Sequence, residues 1–298
     1  MTGNVAFIGL GHMGLPMAIN LHKAGLAIVG HDVVPAAREA AKAAGLAMAE
    51  SIEQAVGDAS TIITMLPNGA ILRDVVSRIA GVVNKDALLI DCSTIDIESA
   101  RWMHAEAAAH HFASVDAPVS GGITGAAAGT LTFMCGGEAD AMARAKPLLE
   151  KMGKRIVECG GAGAGQAAKI CNNMVLGISM IGVCEAFNLA DGLGLSRQAM
   201  FDVVSSSSGS CWSINNYCPV PGVGPQSPAD NNYVPGFAAA LMLKDLKLSQ
   251  DAATAAHTAT PLGLHATELY QKFVDAGGGA MDFSAMIENL RGLKREAM

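Results

Sequence analysis

The chain has 298 residues, of which 51% are hydrophobic and 16% charged, with a formal net charge of -7. That length fits two domains of ordinary size, and so apolar a composition excludes a disordered chain. The acidic balance and the lack of any long block of like charges exclude a basic nucleic-acid footprint and a polybasic membrane anchor, leaving small-molecule work as the expectation.

In chain order, short apolar runs bounded by turn residues read as buried strands at 5–8, 27–31, 61–66, 87–91, 114–117, 131–135 and 155–159. Helix-length patterns rich in Ala and Leu lie between them, among others at 14–24, 35–44, 71–80 and 97–110. Such repetition implies parallel pairing through right-handed crossovers. The first half is therefore expected to be α/β, a doubly wound sheet that binds ligands beyond the carboxyl ends of its strands.

After residue 159 the pattern changes. Gly160, Gly161, Gly163 and Gly165 form a joint, and a long apolar helix is expected from 166 to 193. No convincing strand follows; further helices are expected at 196–204, 237–256, 261–276 and 283–290. The expected domains are thus 1–162, which is α/β, and 163–298, which is all-helical. The Ser- and Pro-rich stretch 205–236 reads as a long loop, either functional or disordered.

Aromatic residues are only 4% of the chain against 34 Gly, 16 Met and 52 Ala. Small residues let backbones approach closely, so tight helix pairs and backbone-lined pockets are expected. Mean hydropathy is +0.33, yet the longest uninterrupted apolar run, 234–243, falls short of the roughly 18 residues a membrane span needs. The 7 cysteines show no CxxC pair, and neither a secretory leader nor a metal-ligand spacing is evident; reduced thiols in a cytoplasmic protein without a metal are expected.

The first motif is Gly9-Leu10-Gly11-His12-Met13-Gly14, which follows a strand and opens a helix. In that setting Gly9 allows the tight turn, Gly11 the approach of a pyrophosphate and Gly14 the packing of helix on strand, while the helix N-terminus offers N–H groups to phosphate. Asp32 ends the second strand, where a carboxylate accepts from a ribose hydroxyl. It would repel a 2'-phosphate, and Val33 and Val34 follow it, so NAD is favoured over NADP.

Asp116-Ala117-Pro118-Val119-Ser120-Gly121-Gly122 also follows a strand, and its backbone N–H groups suit an anion such as a substrate carboxylate. A plain Gly-rich turn is the alternative. Lys169 and Asn173 are one helical turn apart and share a face. A lysine entering a core can be tuned for acid/base work; it can also simply snorkel at a helix start. Lys244 and Asp245 interrupt an apolar helical stretch, as either site residues or a surface pair.

Together these segments resemble the beta-hydroxyacid dehydrogenase family. The resemblance rests on GLGHMGLPMAINLHKAG (9–25), DCSTID (91–96), DAPVSGG with GTLTFM (116–134), GQAAKICNNM (165–174) and LMLKDLKL (241–248). It implies a Rossmann domain, a connecting helix and an all-helical domain in a homodimer or homotetramer. It also implies NAD-dependent oxidation of a short 3-hydroxy acid to its semialdehyde, with Lys169 as acid/base. Ser120, Gly121, Gly122, Asn173, Lys244 and Trp212 would hold the substrate. Beside the residues of the glycine loop and Asp32, the cofactor would meet Leu66, Pro67, Thr94, Phe237, Lys244 and Asp245. Departures from the family pattern, Ser210, Asn215 and Cys218, cluster in the stretch SGSCWSINNYCPVPGV (208–223) and leave the substrate open; the same scaffold and lysine would serve serine, glycerate or, in the reductive direction, a tartronate-type semialdehyde. A dinucleotide-binding sensor without turnover is the non-enzymatic alternative.

Overall fold

The computed structural model describes residues 4–292. In β1 (Asn4–Ile8), Val5 and Phe7 join one apolar cluster while Ala6 and Ile8 join another. Side chains alternate across a strand, so a strand buried on both sides must form a middle layer with helices above and below. The elements that follow supply those layers: α1 (Gly14–Lys23), β2 (Ile28–His31), α2 (Pro35–Ala43), β3 (Ala47–Met48), α3 (Ile52–Val56), β4 (Ala59–Thr64), α4 (Gly69–Ile79), β5 (Leu88–Asp91), α5 (Ile97–Ala109) and β6 (Ala113–Asp116). Then come β7 (Val119–Ser120), α6 (Gly122–Ala128), β8 (Leu131–Gly137), α7 (Ala139–Met152) and β9 (Gly153–Gly160).

The sheet order is β3-β2-β1-β4-β5-β6-β8-β7, with β9 paired to β8. Its first six strands have the Rossmann order, in which the chain reverses direction of travel between β1 and β4. Met17 and Leu21 of α1 and Leu149 of α7 cover one face; Val56 of α3, Val76 and Ile79 of α4 and Met103 of α5 cover the other. The expected α/β class is thus observed.

All-parallel pairing is not. β6 and β7 both run antiparallel to β8. α6, with 7 residues, spans roughly 10 Å at 1.5 Å per residue, too short to return the chain along the sheet as a parallel crossover requires. α7, with 14 residues, is long enough, and β8 and β9 are parallel.

The chain divides into two compact units, Met1–Lys169 and Ile170–Met298, and the division falls inside α8 (Ala164–Gly192). By length and composition α8 is long and apolar enough to cross a membrane, and 44% of its most apolar window is buried within the protein. Within the second unit, Met180, Cys184 and Phe187 of α8 pack with residues of α9 (Arg197–Ser206), α10 (Trp212–Asn215), α11 (Ala239–Ala255), α12 (Pro261–Asp275) and α13 (Met286–Gly292) around Tyr270, Phe283 and Met286. The stretch 205–236 is more regular than a long loop: it holds α10 and a 3-10 turn, Pro228–Asn231. Prolines there lack N–H groups, and side chains take over the closure. Asp230 accepts from the backbone N–H of Gly222 at 2.7 Å and of Ser227 at 2.8 Å.

Candidate active site

Parallel register brings the predicted ligand loops to one edge of the sheet. Ile8 is paired with His31 and with Thr64, Thr64 with Asp91, and Asp91 with Asp116. The segments that leave these positions carry the glycine loop, Asp32, Leu66 and Pro67, Thr94 and, at the end of β7, Ser120. A doubly wound sheet binds ligands at this edge because its loops and helix N-termini open there.

The glycine loop is shaped by backbone contact. Gly9 has φ of +92° and donates its N–H to His31 O at 3.0 Å; a Cβ there would strike Met65 O. A Cβ on Gly14 would strike Gly9 O and come within 3.1 Å of the Phe7 ring. Around Gly11, by contrast, nothing lies within 4 Å of where a Cβ would stand, so this backbone is open to a ligand. Met13, the N-cap of α1, makes no side-chain bond to the helix and the first turn holds no acidic residue. An open backbone beside an uncapped, positively polarised helix end fits a pyrophosphate.

Asp32 has a second task that sequence alone did not show. Its Oδ2 accepts from Leu10 N–H at 2.6 Å and its Oδ1 from Val34 N–H at 2.8 Å, so it braces the glycine loop. A carboxylate has about four acceptor positions, which leaves room for a ribose diol. Val33, 79% exposed, and Val34 form an apolar surface beside it. His12 is exposed and Met13 half-buried, whereas Leu10 enters the core and only its backbone faces the loop. Ser120 is half-buried; Gly121 and Gly122 follow it with φ of +133° and +60° at the start of α6.

Beneath this edge lies a buried polar network. Asp91 Oδ1 accepts from Thr64 Oγ1 at 2.7 Å and from Ser93 Oγ at 2.5 Å, and Ser93 Oγ in turn accepts from Leu66 N–H at 2.8 Å. Burial pushes the Asp91 carboxyl up to about 6, with the Asp116 charge adding to the rise. Asp116 accepts from Gly163 N–H and Gln166 N–H, both at 2.9 Å, and so caps the start of α8. His104 Nε2 lies 2.9 Å from the same carboxylate, with Ser114 Oγ on the other ring nitrogen at 2.8 Å. One turn further along, α8 carries Lys169, only 8% exposed.

The second unit has its own cluster. Asn173, 1% exposed, donates to Asp245 Oδ2 at 2.5 Å, and Lys244 Nζ stands 3.5 Å from Asp245 Oδ1. Asp245, expected at the cofactor, is itself buried and serves these two side chains. Trp212, 50% exposed, stacks on Tyr217 with centroids 5.0 Å apart; Tyr217 stacks on Phe283 at 5.3 Å, and Phe237 meets Phe283 edge-on at 5.7 Å. Buried Asp282 fastens this ladder, accepting from Tyr217 OH at 2.9 Å and from the N–H groups of Gly236 and Phe237 at 3.0 Å. Among the described residues no group of three His, Cys, Asp or Glu side chains is placed to hold a metal ion.

Comparison with known proteins identifies this arrangement. Residues 4–161 match a family described as the NAD binding domain of 6-phosphogluconate dehydrogenase, and residues 163–290 one described as "NAD-binding of NADP-dependent 3-hydroxyisobutyrate dehydrogenase". A probable 3-hydroxyisobutyrate dehydrogenase of Mycobacterium tuberculosis is 49% identical over 287 residues, 96% of this chain and 97% of that protein. The chain belongs to the beta-hydroxyacid dehydrogenase family. It is an NAD-dependent oxidoreductase of the hydroxyacid dehydrogenase class. An NAD-dependent L-serine dehydrogenase of Pseudomonas aeruginosa is 45% identical over 287 residues, 95% of this chain and 96% of that protein. Among solved structures, 3-hydroxyisobutyrate dehydrogenase of M. tuberculosis with L-serine superposes with a TM-score of 0.95 at 48% identity, covering 98% of this chain and 100% of that one.

Gln166, Asp91, Asp116, His104 and Asp282 were not singled out from sequence as site residues. A glutamine or aspartate in an apolar run is a signal of some buried polar role, but it does not name the partner.

Proposed function

We propose that the protein oxidises 3-hydroxyisobutyrate to methylmalonate semialdehyde with NAD, using Lys169 as the acid/base. What carries this reading is that a single unit holds both an open glycine loop braced by Asp32 and, at the same sheet edge, a capped helix start that presents the buried Lys169. The loop from Gly9 to Gly14 holds the pyrophosphate, Asp32 the adenosine ribose, and Leu66, Pro67 and Thr94 line the cofactor's path.

The unprotonated Lys169 amine takes the proton of the substrate hydroxyl, and in reverse its ammonium returns it to the carbonyl oxygen. When bound, the nicotinamide ring supplies a hydride acceptor. Ser120, Gly121 and Gly122 hold the substrate carboxylate through N–H and O–H donors, which fixes the hydroxyl-bearing carbon. Within the second unit, Asn173, Lys244, Trp212 and Phe237 are the residues that would meet substrate and cofactor; Asp245 accepts from Asn173 and stands 3.5 Å from Lys244, and Asp282 accepts from Tyr217 OH and Phe237 N–H. Proton transfer of this kind contributes roughly 10² to 10⁴ in rate, and fixed orientation must supply much of the rest.

L-Serine is the second substrate reading, favoured by the P. aeruginosa relative and by the ligand of the M. tuberculosis structure. The two acids share the carboxylate and the 3-hydroxyl and differ at C2, methyl against ammonium. Values of kcat/KM for 3-hydroxyisobutyrate, L-serine and glycerate, each with NAD and NADP, decide between them. The proposal stands if 3-hydroxyisobutyrate with NAD leads the panel; it gives way to the second reading if L-serine does.

A further inference from the structure

We infer that Gln166 is a positioning residue that sets the distance between the cofactor-lining segment at Thr94 and the acid/base Lys169. This inference rests on the catalytic reading given above, and every group it uses lies within the first unit.

Gln166 is fully buried, and its side-chain amide and main-chain N–H are both hydrogen-bonded. Its Nε2 donates to Ser93 O at 2.7 Å and its Oε1 accepts from Ile95 N–H at 3.1 Å. The side-chain amide therefore pairs with the peptide groups on both sides of Thr94, much as one strand pairs with another. A two-point attachment fixes orientation as well as distance, since rotating the segment about one bond breaks the other. The main-chain N–H of Gln166 donates to Asp116 Oδ2.

Both ends of the link are held. On the Thr94 side, Ser93 is anchored through its N–H and Oγ to Asp91 Oδ1 and accepts from Leu66 N–H. The chain of bonds thus runs from the Leu66 loop to Gln166. On the α8 side, a Cβ on Gly165 would strike Met134 O and lie 2.7 Å from Asp116 O. The first turn of α8 rests backbone on backbone and has no room to slide. Lys169 follows Gln166 by three residues, roughly 4.5 Å along the helix axis at 1.5 Å per residue, so a shift at Gln166 is passed on rigidly.

A purely structural role, satisfying two buried peptide groups, would lower stability and leave the turnover of folded enzyme intact. Positioning makes a different demand: hydride and proton transfer are sensitive to placement, and a misplacement of about 1 Å can cost roughly 100-fold.

The test is steady-state kinetics of Gln166→Met and Gln166→Glu beside Lys169→Ala, with Tm and NADH affinity measured on each. Gln166→Met keeps the length and loses both bonds; its kcat is expected to fall by about 10- to 100-fold, with KM for NAD and hydroxy acid changed by no more than about threefold. In Gln166→Glu the protonated carboxyl accepts from Ile95 N–H and donates to Ser93 O, whereas the carboxylate sets oxygen against oxygen. Its kcat relative to wild type at the same pH is expected to rise as pH falls, a rescue that structural filling does not produce. A Gln166→Met kcat within about twofold of wild type, a loss carried by KM alone, or a pH-independent Gln166→Glu ratio overturns the inference. If Gln166→Met does not fold, the Gln166→Glu profile decides. Lys169→Ala separates the two layers: full turnover in that variant removes the catalytic reading and the inference with it, while an inactive Lys169→Ala beside normal Gln166 variants removes only the inference.

Discussion

Asp91 and Asp116 stand opposite each other at the carboxyl ends of β5 and β6, two fully buried carboxylates on neighbouring strands. Asp116 is compensated by His104 and by the α8 N–H groups. The donors to Asp91 all converge on Oδ1, and among the described residues its Oδ2 has no hydrogen-bond partner. Its carboxyl, pushed up to about 6 from 3.8, holds a proton more tightly folded than unfolded. Between those two values the folded state binds the extra proton, so stability falls as pH rises through about 6, by up to about 3 kcal/mol. Asp91→Asn mimics the protonated form. The Tm of this variant minus that of wild type should grow from pH 4 to pH 7; a difference flat with pH would show that Asp91 does not titrate in this window.

Lys169→Ala is expected to lower kcat by roughly 10² to 10⁴ while NADH binding, followed by fluorescence, stays near wild type. Lys169→Arg should be no better. A guanidinium keeps its proton at every working pH and cannot accept one from the hydroxyl. Substantial activity in the arginine variant would remove the base role.

Asp32→Asn keeps one acceptor for the glycine loop and removes the charge. A hydrogen bond to a charged group is worth about 1.5 to 3 kcal/mol, so kcat/KM for NAD should drop roughly 10- to 100-fold. Relative activity with NADP should rise, since the repulsion of a 2'-phosphate is gone. Unchanged discrimination between the cofactors would place the determinant elsewhere.

Much of the first unit is legible in the sequence because its signals are local. Gly9, Gly11 and Gly14 sit between a strand and a helix within a few residues, and Asp32 closes the next strand. Other features depend on distant partners. The direction of β8 depends on how short α6 is, and β3 and β7, with 2 residues each, are too short to show a period. Gln166 meets Ser93 and Ile95 across 73 and 71 positions, and Asp282 meets Tyr217 across 65. Nothing in the neighbours of such a residue specifies the group it will find.

The second and third glycines of the loop separate structure from ligand binding. Gly14→Ala sets a Cβ against Gly9 O, an overpacking expected to cost about 1 to 3 kcal/mol of stability. Gly11→Ala meets open space and should leave Tm unchanged while weakening NAD binding, because the methyl occupies the side from which a pyrophosphate approaches. Equal Tm losses in the two variants would contradict this division.

The aromatic ladder of the second unit depends on one carboxylate. Asp282 Oδ2 takes Tyr217 OH and the N–H groups of Gly236 and Phe237, while Oδ1 takes the N–H and Oγ of Ser284 at 3.0 and 2.6 Å. Burial and the nearby Asp282 charge push the Tyr217 phenol up, so it remains a donor throughout the working pH range. Asp282→Ala strands several donors at once, and each unsatisfied buried group costs about 1 to 3 kcal/mol; the helical unit should be strongly destabilised. Tyr217→Phe removes a single donor, keeps the ring between Trp212 and Phe283, and leaves Asp282 its other partners. Its stability loss should be only about 1 kcal/mol, small enough to read kinetics cleanly. If Asp282 acts through Tyr217 to hold Trp212, this variant should raise KM for the hydroxy acid and leave KM for NAD alone. A rise confined to KM for NAD would assign the ladder to the cofactor through Phe237 instead.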